Sequence, residues 1–242
     1  MSVIKIFAAG SLRGYLKDFS RIVKTDHGFD LIYELGPSGV LKERIVNGES
    51  PDLFLSANLR YPMELVKDNF STGVIPFSCN ELCLFGNFLN RHHHRTAMDW
   101  MFDPAVRLGT STPGDDPGGD YAFEVFKKVE RIRPGSYEKL SARAHVLVGG
   151  RKSVPPPQGV HPVLNLFQNN KIDLFLGYYT SARDIQNQLP GIEIMRLPAN
   201  IAMKTRYAFT RLAHTDSVIA CAKQIRSDAS QSILADHGFN PI

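Results

Sequence analysis

The chain is poor in the features that would set it apart from an ordinary globular protein. It has three cysteines in 242 residues, Cys79, Cys83 and Cys221. An odd, sparse set is no disulfide framework, and Cys79 and Cys83 lack the C-x-x-C spacing of a metal or redox pair, so all three read as small buried hydrophobes. No apolar run approaches the roughly 20 residues that a membrane-spanning helix needs, which argues against direct membrane insertion. Charge of one sign is also lacking. The 28 basic and 24 acidic residues leave a net +4, short of the strongly basic face that nucleic-acid binding shows. The N-terminus has no basic segment followed by an apolar stretch, because the strand-like V-I-K-I-F already begins at Val3. The expectation is therefore either a cytoplasmic protein or a periplasmic one from which a leader has been removed.

What is present is a chain with 43% apolar and 21% charged residues, a globular composition long enough for two modest lobes or one large α/β domain. Strand and helix patterns alternate. Val3 to Phe7 reads as a buried strand, and Leu12, Tyr15, Leu16, Phe19, Ile22 and Val23 then recur at helical spacing. Strands are expected at Asp30–Leu35, Pro51–Ser56, Phe77–Phe85, Val106–Thr110, Ala144–Gly150, Ile172–Tyr179, Ile192–Met195 and Tyr207–Phe209, with helices between most of them and a last helix over about Ser217–Asp236. The run at Ile172–Tyr179 has no alternation, as in a strand buried on both faces. Pro155-Pro156-Pro157 holds Lys152–Gly159 as an extended loop. The β-α-β-α order predicts α/β layers with mostly parallel sheets.

Four turns share one design: Ala8-Ala9-Gly10-Ser11, Gly36-Pro37-Ser38-Gly39, Asp116-Pro117-Gly118-Gly119-Asp120-Tyr121, and Gly177-Tyr178-Tyr179-Thr180-Ser181. Each follows a strand and opens a helix. A helix start offers unpaired N–H groups and partial positive charge, small residues let an anion come close, and hydroxyls add donors. In α/β sheets such turns lie at the carboxyl ends of strands, where ligands bind. The plain alternative is that Ser11 is a helix cap and Gly-Pro-Ser-Gly an ordinary turn.

F-A-A-G-S-L (Phe7–Leu12), L-G-P-S-G-V-L (Leu35–Leu41), S-P-D-L-F-L-S-A-N (Ser50–Asn58), D-P-G-G-D-Y-A (Asp116–Ala122) and D-L-F-L-G-Y-Y-T-S-A (Asp173–Ala182) together resemble, in order and separation, the molybdate-binding proteins of ABC importers. The resemblance covers nearly the whole chain. It implies a two-lobed type II periplasmic-binding-protein fold, each lobe a mixed, mostly parallel sheet flanked by helices. One lobe would comprise residues 1–82 and 206–242, the other 83–205, with crossing strands near Glu81–Phe85 and Thr205–Phe209 as the hinge. Molybdate or tungstate would be held in the interlobe cleft by hydrogen bonds alone, with no metal ligation and no cofactor. The ligands carried over by position are Ser11 through its hydroxyl and N–H, Ser38, Gly118 through its N–H, a backbone donor near Val160, and Tyr178, with Tyr179 one register away. Closure of the hinge would be read by a membrane permease. The protein would be a monomeric, non-enzymatic receptor. A site made only of donors disfavours an oxyanion that carries a proton, because that proton needs an acceptor.

Two departures stand out. Asp115, Asp116 and Asp120 crowd the third turn and are expected to cap its helix, facing away from the ligand. Arg13, two residues after Ser11, is expected on a solvated helix face. Other signals are weaker. His92-His93-His94 between arginines reads as solvated surface rather than a metal tract. His145 and His161 read as structural. Neither Ser11 nor Ser181 has the G-x-S-x-G frame of a catalytic elbow, and the loop at Gly114–Gly119 lacks the G-K-[ST] ending of a phosphate-binding loop. Two alternatives stay open: a relative that captures sulfate, phosphate or a small carboxylate, and a cytoplasmic sensor or enzyme on the same fold.

Overall fold

The structure, a computed structural model, describes residues 2–87 and 94–242. His92 and His93 of the histidine tract lie outside the described residues, and His94 is exposed. The chain divides into two compact units, Met1–Asn80 with Thr205–Ile242, and Glu81–Lys204.

In the first unit, β1 (Val3–Ala9) runs parallel to both β2 (Asp30–Gly36) and β3 (Leu53–Ser56), and β9 (Lys204–Arg211) pairs antiparallel with β3. The register sets Ala9 opposite Gly36, so the turns that follow β1 and β2 leave the sheet side by side. The crossovers are α1 (Arg13–His27) and α2 (Ser38–Val46), and α3 (Arg60–Lys67) follows β3. The apolar stripe read in α1 buries Tyr15, Leu16, Phe19 and Val23. Phe7, Leu41, Ile45, Phe54, Tyr61 and Leu65 form one core cluster beneath α2 and α3. The long helix expected at the C-terminus is two, α9 (Asp216–Ile225) and α10 (Asp228–Asp236). The break falls at Ser227, whose hydroxyl accepts from the Ser230 N–H; a hydroxyl that caps a new helix outcompetes continuation of the old one.

Within β4 (Ile75–Gly86) the chain passes to the second unit, and at the start of β9 it returns. In that unit the sheet runs β8 (Glu193–Arg196), the last part of β4, β7 (Leu174–Tyr178), β5 (Leu108–Ser111) and β6 (His145–Val148). β5 lies parallel to β6 and β7, whereas β4 is antiparallel to β7 and β8. The sheets are therefore mixed, with parallel strands where the turns of interest lie. All five residues of β7 are buried, as its unbroken apolar run predicts. The helices are α4 (Ala97–Phe102), α5 (Pro117–Ile132), α6 (Ser136–Arg143), α7 (Pro162–Gln168) and α8 (Tyr179–Gln188). A side chain at Gly86, at φ +152°, would put its Cβ 2.1 Å from the Asp173 carbonyl oxygen, so β4 and β7 meet there only because the residue is glycine.

Cys83 and Cys221 are buried and Cys79 is half-buried, where it exchanges backbone bonds with Asn240. Burial pushes the Cys221 thiol up to about 12 and the Cys83 thiol higher still, which makes both packing residues rather than nucleophiles. No described helix is long and apolar enough to cross a membrane.

Candidate functional site

Ser11 sits in a short 3-10 turn, Gly10–Leu12, between β1 and α1. It caps neither helix: the 3-10 turn and α1 begin without a side-chain cap. Its Oγ lies 2.7 Å from the hydroxyl of Tyr207 on β9, 196 residues away. The cap reading therefore gives way to a tertiary bond that no local pattern announces. Arg13 is half-buried rather than solvated, and its Nε is shielded from water with no hydrogen-bond partner among the described residues.

Ser38 is the first residue of α2, one place after Pro37, and is 1% exposed. Its Oγ accepts the Ala57 N–H at 3.2 Å, so the turn after β2 is tied to the turn after β3. In that third turn Asn58 Oδ1 accepts from the Ser56 hydroxyl and from the Tyr61 N–H, at 3.1 and 3.0 Å, and so holds the entry to α3. Three turns thus gather at the carboxyl ends of β1, β2 and β3 in the first unit. The parts played by Ala57 and Tyr207 were not read from the sequence; the run S-P-D-L-F-L-S-A-N held the signal for Ala57, and nothing local held it for Tyr207.

In the second unit the turn after β5 is tied to β6 by two bonds to the Val148 carbonyl, from the Thr112 N–H at 2.9 Å and the Thr112 hydroxyl at 2.8 Å. α5 then starts at Pro117, packed so close that a Cβ on Gly119 would lie 2.4 Å from the Thr112 carbonyl carbon. Gly118 is buried, and a Cβ on it would touch Tyr178 Cε2 at 3.2 Å. The structure therefore brings Gly118 and Tyr178 together, as it brings the Ser11 and Ser38 turns together. Tyr178 ends β7 and is 8% exposed; Tyr179 opens α8 and lies beneath the Arg196 guanidinium, 4.3 Å from the ring centre. The Val160 N–H donates to the Pro157 carbonyl at 3.1 Å in the loop that leads into α7. His161 caps that helix, its Nδ1 accepting from the Val163 N–H at 3.2 Å.

The three aspartates divide the turn between them. Asp115 pairs with Arg151, whose backbone N–H and guanidinium lie 2.9 and 3.1 Å from its two oxygens. Asp120 accepts the Gly114 N–H at 2.7 Å. Asp116 caps α5 as expected, but by accepting the N–H of Gly118 itself at 3.0 Å, the group that the resemblance assigns to the ligand. Desolvation pushes the Asp116 carboxyl up to about 6, against the lowering effect of its bonds from Gly118 and Ser111, with Asp120 and Asp115 adding to the rise. Gly149, at φ +77°, faces it so closely that a Cβ there would lie 2.6 Å from Asp116 Oδ2.

This arrangement of a two-unit α/β chain with polar turns at parallel strand ends belongs to a known class. Residues 4–240 match the family of bacterial extracellular solute-binding proteins, and the chain is a member of that family. It is 33% identical over 244 residues to PM1146 of Pasteurella multocida (strain Pm70), an uncharacterized protein, with 98% of each chain covered. It is 25% identical over 190 residues to the molybdate-binding protein ModA of Escherichia coli (strain K12), covering 74% of this chain and 66% of that one. Among solved structures, the sulfate-binding protein SubI of Mycobacterium tuberculosis H37Rv superposes with a TM-score of 0.81 at 14% identity, over 100% of this chain and 88% of that one. The two-lobed periplasmic-binding-protein fold expected from the sequence is the fold observed, and the family is one of solute-binding proteins rather than enzymes.

Proposed function

We propose that this chain captures a tetrahedral oxyanion, molybdate or tungstate, and delivers it to the permease of an ABC transporter. The observation that carries the reading is the pair of serine turns at the ends of the adjacent parallel strands β1 and β2. Ser38 receives a bond on its oxygen from Ala57, which leaves its hydroxyl hydrogen for another acceptor. A hydroxyl brings donor capacity without a counter-charge, so a dianion can be held by dipoles fixed in advance. In this reading Ser11, Ser38 and Tyr178 supply hydroxyls, and Gly118 and Val160 supply backbone N–H groups. The match to ModA, named as a molybdate-binding protein, supports molybdate, and a donor cage sized for that ion separates it from the smaller sulfate.

A second reading is favoured by Asp116. A carboxylate at the third turn is an acceptor, and an acceptor suits an oxyanion that carries a proton, such as hydrogen phosphate. Calorimetric titration with molybdate, tungstate, sulfate and phosphate at about 50 μM protein separates the two, since a micromolar Kd gives a clear isotherm there. The first reading expects heat from molybdate and tungstate and much weaker binding of phosphate. Heat from phosphate alone moves the function to the second reading, and no heat from any of the four refutes both.

A further inference from the structure

Behind Ser11 lies a chain of two linked side chains from distant parts of the first unit. The Asn80 side-chain amide donates to the Tyr207 hydroxyl oxygen at 3.2 Å, and that oxygen lies 2.7 Å from Ser11 Oγ. Asn80 is 1% exposed and Tyr207 is fully buried, whereas Ser11 is half-buried. The chain therefore runs from the interior of the unit out to the turn. The Tyr207 ring is held edge-on by Phe77 and Phe239, with ring centres 6.4 and 5.3 Å away, so its hydroxyl has a fixed place.

The direction of the bonds matters more than their number. A hydroxyl that accepts a hydrogen bond becomes a better donor, because each bond polarises the next. The Asn80 amide carries hydrogens and donates into the Tyr207 oxygen, which strengthens whatever bond the Tyr207 hydroxyl itself donates; the bond to Ser11 can run from either hydroxyl. A Ser11 hydroxyl that accepts from Tyr207 has its own hydrogen left to turn away from the interior. We propose that Asn80 and Tyr207 are positioning residues that orient the Ser11 hydroxyl as a hydrogen-bond donor, so that this turn selects anions whose oxygens present only lone pairs. The inference rests on the role given to Ser11 under the proposed function. It adds a reason for preferring a fully deprotonated dianion, and it locates that preference in residues that never touch the ligand.

The test is a double-mutant cycle on molybdate affinity, read by calorimetry for the full chain and for Tyr207→Phe, Ser11→Ala and the double variant. Tyr207→Phe keeps the ring and removes only the hydroxyl. It is expected to weaken molybdate binding about fivefold, the worth of one ordinary hydrogen bond, and to change it less than twofold when Ser11 is already alanine. Equal losses in both backgrounds would mean that Tyr207 only packs the unit, and would overturn the proposal, as would no loss in either. Asn80→Ala guards against a Tyr207 variant that folds poorly: it should weaken binding about two- to threefold with Ser11 present and not without it, and an equal loss in both backgrounds overturns the proposal as well. If the unmutated chain takes up neither molybdate nor tungstate, the functional reading itself fails and carries this inference with it. A parent that binds while the cycle shows no coupling refutes the inference alone.

Discussion

Replacing Asp116 by asparagine isolates the charge at the third turn from its geometry. The carboxylate caps α5 through the Gly118 N–H, and an asparagine oxygen accepts the same bond with similar worth at a helix N-cap. The charge is what differs. Desolvation first, and then the neighbouring Asp120 and Asp115, raise the carboxyl from its ordinary 3.8 to about 6, which makes the charged form about 3 kcal/mol costlier in the folded protein than in the unfolded chain. The sign follows. Between pH 3.8 and about 6 the folded protein holds a proton that the unfolded chain has released, so stability falls as pH rises through that window and stays low above it. At pH 4 the parent and Asp116→Asn should unfold at nearly the same temperature. At pH 7.5 the variant should be more stable by up to about 3 kcal/mol, a rise of roughly 6–12 °C for a chain of this size. Differential scanning fluorimetry across pH 4–8 reads this directly. A variant destabilised equally at both ends of the range would show that Asp116 is an ordinary solvated cap, and the account of a strained carboxylate would be wrong. The same variant bears on the ligand. Removing a negative charge beside Gly118 should tighten molybdate binding at pH 7.5 and leave the preference for phosphate weaker.

Two further substitutions probe the turns separately. Ser38→Ala strands the buried Ala57 N–H, which should lower stability by about 1–3 kcal/mol and weaken molybdate binding at least fivefold in calorimetry; unchanged affinity would return Ser38 to a purely structural role. Gly149→Ala forces a Cβ to within 2.6 Å of Asp116 Oδ2 at φ +77°, and should cost about 1–3 kcal/mol in chemical denaturation. A neutral result would mean that Asp116 swings aside without penalty.

Much of the fold was legible because the α/β pattern is carried by local apolar periodicity. β7 shows this well: an unbroken run of apolar residues suits a strand covered on both faces, and all five of its residues are buried. The failures have a common cause. Helix α6 was hidden because its entry is arranged by Glu130 on the preceding helix, whose carboxylate accepts the Gly135 and Tyr137 N–H groups. The two terminal helices merged into one because Ser227 is unremarkable in sequence and acts only through the Ser230 N–H. At the candidate site the turns and their small residues could be read, since strand, glycine, hydroxyl and helix follow one another in the chain. The partners of those hydroxyls could not. Tyr207 reaches Ser11 across 196 residues, and that separation leaves no trace in a window of ten.

The same partners change what binding must involve. A hydroxyl can accept one bond and donate another, so Ser11 and Ser38 can hold their internal partners and an anion at once. A backbone N–H has a single hydrogen. Gly118 gives its hydrogen to Asp116, and Val160 gives its own to Pro157. Any anion that uses those two groups must exchange with an acceptor already in place, and at Gly118 that acceptor carries charge. On the proposed reading, capture through the serines would be an addition, whereas capture at Gly118 would be a substitution of one anion for another. The substitution becomes easier when Asp116 takes up a proton, because a neutral carboxyl holds the N–H less strongly than a carboxylate does. Affinity for a fully deprotonated dianion should then rise as pH falls toward 6, whereas a ligand whose own proton the Asp116 carboxylate accepts loses that acceptor over the same range.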